Sequence, residues 1–117
     1  MHITFIGGGN MAGAIICGLL AKGYAAHTLR VVEIAADARA RLARQYGVAT
    51  YEHIDAANAG ADCIVLAVKP QNMREVAAAL RPLVRHQLVI SIAAGIRGTD
   101  LSRWLGGYAR LVRAMPN

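Results

Sequence analysis

Residues 2–23 read HITFIGGGNMAGAIICGLLAKG, and the pattern changes half-way. The first five are β-branched or aromatic for the most part, and they stop at three consecutive glycines. That is the signature of a buried strand. From Asn10 to Lys22, Ala, Ile and Leu recur at helical spacing, with Asn10 placed as an N-cap and Gly23 as a C-terminal stop. Strand, glycine turn and helix follow one another within 22 residues.

The alternation continues down the chain. LRVVEI reads as a second strand, and DARARLARQY as a helix that Gly47 ends and whose Asp37 suits the positive N-terminal dipole. VAT is a short third strand and IDAANAG a helical turn. DCIVLAV is an unbroken apolar run, as expected of a strand covered on both faces. NMREVAAALR is a helix ended near Pro82, and QLVISIAAG another buried strand. TDLSRWL is a short helix capped by Thr99 or Asp100, and ARLVRAM a last strand before Pro116. Strands alternating with helices imply right-handed crossovers, hence an α/β, Rossmann-type, doubly wound, mostly parallel six-stranded sheet with helices on both faces.

At 117 residues, 56% hydrophobic, the chain has the size and apolar content of one well-buried domain, residues 1–117. No run reaches the roughly 18 apolar residues of a membrane helix, and the opening lacks the basic region and cleavage pattern of a secretory signal. The expectation is a cytoplasmic protein with no membrane partner. The net charge of +6 raises the possibility of nucleic acid. The basic residues are scattered, however, only Arg39, Arg41 and Arg44 cluster, and aromatics for base stacking are few, so no nucleic-acid partner is expected. Cys17 and Cys63 form no C-x-x-C pair and read as reduced, packed thiols; no residue spacing suggests a metal site. His2, His27, His53 and His86 are scattered, and no catalytic acid or base stands out.

The glycines are explained by a phosphate. In Gly7-x-Gly9-x-x-Ala12 the first glycine permits the turn out of the strand, the second lets backbone approach a pyrophosphate, and the small Ala12 lets helix pack closely on sheet. The anion then meets the unpaired N–H groups and dipole of the helix N-terminus. Gly8, Asn10 and Met11 belong to the same turn. Glu33, at the end of the second strand and about 20 residues on, stands where the fingerprint places an acceptor for the adenosine ribose hydroxyls.

Glu33 also bears on cofactor choice. A carboxylate about 4 Å from a 2′-phosphate costs on the order of 4 kcal/mol at an effective dielectric near 20, before screening. Ile34, Ala35 and Ala36 offer nothing to hold that phosphate, and Arg39 and Arg41 read as a solvated helix face. Of the two NAD(P)H forms, NADH is therefore favoured over NADPH. At the carboxyl ends of later strands, where open α/β sheets bind ligands, lie Lys69 and Pro70, with Asn72 able to cap the next helix, and the small residues of SIAAG.

Taken in order, FIGGGNMAGAI, VLAVKPQ, SIAAGI and RLVRAMPN resemble the N-terminal domain of the pyrroline-5-carboxylate reductases across essentially the whole chain. The resemblance implies hydride transfer from NAD(P)H to the C=N bond of the small-molecule substrate 1-pyrroline-5-carboxylate, giving L-proline. It implies a cofactor site made of Gly7, Gly9, Asn10, Met11 and Ala12 at the phosphates and Ala67, Val68, Lys69 and Pro70 around the ribose and nicotinamide half. Ala93, Ala94 and Gly95 are implied beside the nicotinamide, and Met115, Pro116 and Asn117 at that end of the pocket. It further implies a helical C-terminal domain, absent from these 117 residues, that makes a homo-oligomer and supplies much of the substrate pocket. The cofactor part alone is expected to bind dinucleotide and turn over poorly. With an imine that is already electrophilic, positioning replaces a strong acid or base. Two departures from the family stand out: Glu33 and Ile34 where NADPH users carry Ser, Asn or Arg, and Ile54 where many carry an Asn near the adenine ribose. The alternatives are a related reductase of the F420-dependent NADP reductase type, against which AVKPQ and MPN argue, and a non-catalytic NAD(H)-sensing module.

Overall fold

The computed structural model describes residues 1–114. Six strands, β1 Ile3–Ile6, β2 Leu29–Val32, β3 Ala49–Tyr51, β4 Cys63–Leu66, β5 Leu88–Ser91 and β6 Leu111–Arg113, form one sheet in the order β3-β2-β1-β4-β5-β6. Every neighbouring pair is parallel. The order reverses between β1 and β4, so the crevice outside their carboxyl ends is the topological switch point at which such sheets hold ligands.

Five helices cross between the strands: α1 Asn10–Ala21, α2 Ala36–Tyr46, α3 Ala56–Ala59, α4 Met73–Leu80 and α5 Gly98–Trp104. Alternate strand residues feed two cores, as a two-residue period requires. Phe5, Val31, Cys63 and Val65 pack with Ala12, Ile16 and Leu42 from α1 and α2. Ile6, Val32, Ile64, Leu66 and Val89 pack with Met73, Ala77, Leu80 and Leu101 from α4 and α5. The expected helices on both faces are present, with the termini shifted by a residue or two, and β4 is buried along its whole length.

Some expectations are corrected. Asn10 does not cap α1; Gly9 occupies that position and Asn10 is the first helical residue. Asn72 sits at the N-cap of α4 without a side-chain bond. Arg97, not Thr99 or Asp100, precedes α5, and Asp100 instead pairs with Arg97 and Arg103 across one turn. Asp55 and Asn58 form a reciprocal capping box at α3.

β5 is not buried on both faces as its apolar run predicts: Leu88 and Ile90 are half-buried, and Val112, the β6 partner of Ile90, is 47% exposed. The reason is coverage: the strand residues fully buried with α1 and α2 come from β1, β2 and β4, and Ile90 of β5 reaches that core only in part. An open groove of about 580 Å³ results at the amino end of the sheet, floored by Phe5, Val65 and Ile90. Cys17 is exposed on α1, against the expectation of a packed thiol, whereas Cys63 is buried.

Candidate functional site

The glycine turn lies at the switch point, tied to both neighbours of β1. The Gly7 N–H donates to the Val32 carbonyl at 2.8 Å, and the Ala67 N–H to the Ile6 carbonyl at 2.8 Å. Gly7 has φ +102°, and a Cβ there would lie 2.7 Å from the Ala67 carbonyl oxygen, so only glycine fits both the turn and the close approach of the β4 exit. A Cβ at Gly8 would lie 2.8 Å from Leu42 Cδ1 and 3.2 Å from the Glu33 side chain. At Gly9 it would meet nothing within 4 Å, so this glycine faces open space.

α1 begins directly behind the turn. Neither the Gly9 position nor any acidic residue of the first turn caps it. The Asn10, Met11 and Ala12 N–H groups precede the first intrahelical bond, Gly13 N–H to the Gly9 carbonyl at 3.0 Å, and the dipole end keeps its positive character. Ala12 is fully buried against the sheet, as its small size predicts, while Asn10 and Met11 are exposed.

Glu33 follows β2. Its Oε1 accepts the Gly8 N–H at 2.7 Å and its Oε2 the Ala35 N–H at 2.9 Å, so the carboxylate joins the phosphate turn to the β2 exit. An ionised carboxylate has about four lone-pair sites, and these two bonds leave acceptor capacity for ribose hydroxyls. Arg39 departs from the solvated-face reading. It is half-buried, and its Nη1 donates to the Glu33 and Ile34 carbonyls, both at 2.8 Å. Spacing did not signal this bond, because it depends on how the chain turns between β2 and α2. Ile54 is half-buried against the α4 and α5 side of the core.

The remaining residues line the same rim. Ala67 and Val68 are half-buried and Lys69 and Pro70 exposed, with Pro70 opening a 3-10 turn over Pro70–Asn72. After β5, Ala93 is buried, and Ala94 and Gly95 are exposed, Gly95 with φ +80°. Met115, Pro116 and Asn117 lie outside the described residues. The sheet thus brings the Gly7–Ala12 turn, Glu33 and the exits of β4 and β5 to one edge. The profile of the family described as NADP oxidoreductase, coenzyme F420-dependent, matches residues 2–95.

The chain belongs to this family.

A nicotinamide dinucleotide is accordingly the cofactor class of this oxidoreductase domain. It is 45% identical over 117 residues to the pyrroline-5-carboxylate reductase of Pseudomonas aeruginosa, covering 99% of this chain and 43% of the relative. It is 44% identical to that of Haemophilus influenzae, covering 98% and 42%. The solved pyrroline-5-carboxylate reductase of Coxiella burnetii superposes with a TM-score of 0.91 at 41% identity, over 99% of this chain and 44% of that one. The resemblance read from the sequence motifs is borne out, and the oxidoreductase domain spans less than half the length of these relatives. Among the described residues no helix is long and apolar enough to cross a membrane.

Proposed function

We propose that the chain is the cofactor-binding part of a pyrroline-5-carboxylate reductase. A hydride passes from the nicotinamide to the imine carbon of 1-pyrroline-5-carboxylate, the nitrogen takes a proton from solvent, and L-proline results. The observation that carries the reading is the 45% identity over 99% of the chain, which extends past the residues that the family profile matches.

The pyrophosphate rests on Gly7, Gly8, Gly9 and the first-turn N–H groups of Asn10, Met11 and Ala12. Glu33 receives the adenosine ribose, and Ala67, Val68, Lys69 and Pro70 border the ribose and nicotinamide half. Ala93, Ala94 and Gly95 border the nicotinamide, and the family resemblance adds Met115, Pro116 and Asn117, which lie outside the described residues. NADH is favoured over NADPH, because the Glu33 carboxylate, held in place by two backbone donors, repels a 2′-phosphate. A helical domain beyond these residues supplies the rest of the substrate pocket and the homo-oligomer contacts, consistent with relatives of more than twice the length.

The test is pyrroline-5-carboxylate-dependent oxidation of NADH by the complete gene product, with proline as the measured product. Cofactor binding without turnover of this imine overturns the reading and leaves a nucleotide-sensing module. The family description favours one second reading, hydride exchange between NADP and coenzyme F420. Oxidation of NADPH with oxidised F420 as hydride acceptor in place of the imine would establish it.

A further inference from the structure

We propose that Arg39 is a specificity-determining residue for the dinucleotide, presenting one edge of its guanidinium to the 2′-phosphate of NADPH at a site where Glu33 favours NADH. The inference rests on the cofactor reading above.

Three observations carry it. The guanidinium is fixed, because both hydrogens of Nη1 are spent on the Glu33 and Ile34 carbonyls at 2.8 Å. The opposite edge, Nε and Nη2, has no hydrogen-bond or ion-pair partner among the described residues, and that edge is the fork that matches two phosphate oxygens at once. The anchor is the main chain of Glu33, the residue whose carboxylate is placed for the ribose, so the fork and the ribose acceptor share one short loop. A guanidinium locked before the ligand arrives loses little rotamer freedom on binding. Glu33 and Arg39 then act in opposition, the carboxylate penalising a 2′-phosphate and the guanidinium offsetting part of that penalty. Arg41, two positions on and exposed, has no such anchor among the described residues.

Calorimetric titration of the complete gene product with NADH and NADPH tests the assignment in wild type, Arg39→Met, Arg39→Lys and Arg41→Met, at low and high salt. Trp104 fluorescence melts establish that each variant is folded. Arg39→Met is expected to weaken NADPH about tenfold relative to NADH, the loss of one charge-assisted fork. Lysine, keeping the charge without the fork, recovers part of that ratio, and Arg41→Met leaves it unchanged. The NADPH affinity of wild type falls more steeply with salt than that of Arg39→Met. An equal loss of both dinucleotides, or an unaltered ratio in both Arg39 variants, makes Arg39 a loop clip only and overturns the assignment while leaving the cofactor reading in place. Wild type that binds neither dinucleotide overturns both. If Arg39→Met does not fold, the Arg39→Lys ratio decides.

Discussion

Glu33 and Gly8 are joined across the first crossover: Oε1 of the one accepts the backbone N–H of the other at 2.7 Å. With the second oxygen on Ala35 at 2.9 Å, a side chain expected at the ribose also braces the phosphate turn.

The two roles separate by substitution. Glu33→Gln keeps an acceptor for Gly8 but removes the charge, so it brings the NADH and NADPH affinities closer together. Glu33→Ala frees the turn and weakens both, with a loss of stability of about 1–3 kcal/mol for the abandoned charge-assisted bonds. Titration with both dinucleotides and a urea melt read the two effects. Glu33→Gln with an unchanged preference would show that the charge does not discriminate.

The three glycines differ in what they do. Gly7→Ala is forced into φ +102° and against the Ala67 carbonyl at 2.7 Å, so it destabilises by on the order of 3 kcal/mol. Gly9→Ala, with nothing within 4 Å, leaves the melting curve within about 0.5 kcal/mol of wild type and lowers dinucleotide affinity instead. A destabilised Gly9→Ala, or one that binds cofactor normally, contradicts the assignment of open space to the phosphate.

Gln87 is buried and serves four backbone groups. Its Oε1 accepts the Arg85 and His86 N–H groups at 2.6 and 3.0 Å, and its Nε2 donates to the Ala59 and Leu83 carbonyls at 2.7 and 3.1 Å. Gln87→Leu strands these partners and is expected to cost about 3 kcal/mol in denaturant unfolding, while the exposed neighbour change His86→Ala costs under about 0.5.

Two groups give the stability a pH profile. The His2 backbone N–H, 2.8 Å from Asp62, holds that carboxyl below its usual range. Its stabilisation is present above the unfolded value and is lost as pH falls through the folded one, so Asp62→Asn flattens the acid limb below about pH 4. Burial, with the Asp62 carboxylate adding to it, pushes the Cys63 thiol up. That contribution is complete below the unfolded value near about 8.5 and is lost as pH rises past it. At pH 8 a thiol reagent should titrate one fast cysteine, Cys17, and reach the second only on unfolding. Two fast thiols in the folded protein would refute the burial of Cys63.

Much of this architecture is legible in the residues, because strand and helix periods differ and glycines punctuate them. β4 and its four buried residues follow from an unbroken apolar run, and α2 ends at Gly47 in the left-handed conformation its composition suggests. What sequence spacing misses depends on where the crossovers land. Arg39 sits on a helix face that periodicity assigns to solvent, yet the return from β2 brings two carbonyls within its reach. β5 has the composition of a fully covered strand, yet Leu88 and Ile90 face the groove that α1 and α2 leave uncovered. Asn10 has the chemistry of a cap but stands one residue too late, since Gly9 already takes that position.

The central place of β1 has a consequence for synthesis. Residues 3–6 leave the ribosome before either partner, and their ladders are completed by Leu29–Val32 on one side and Cys63–Leu66 on the other. With every pairing parallel, no strand can zip against its successor through a tight hairpin. This segment must therefore wait, half-paired and strongly apolar, until residue 66 has emerged. Nascent chains halted before residue 66 should be the species most in need of a chaperone, and those halted after it should resist proteolysis.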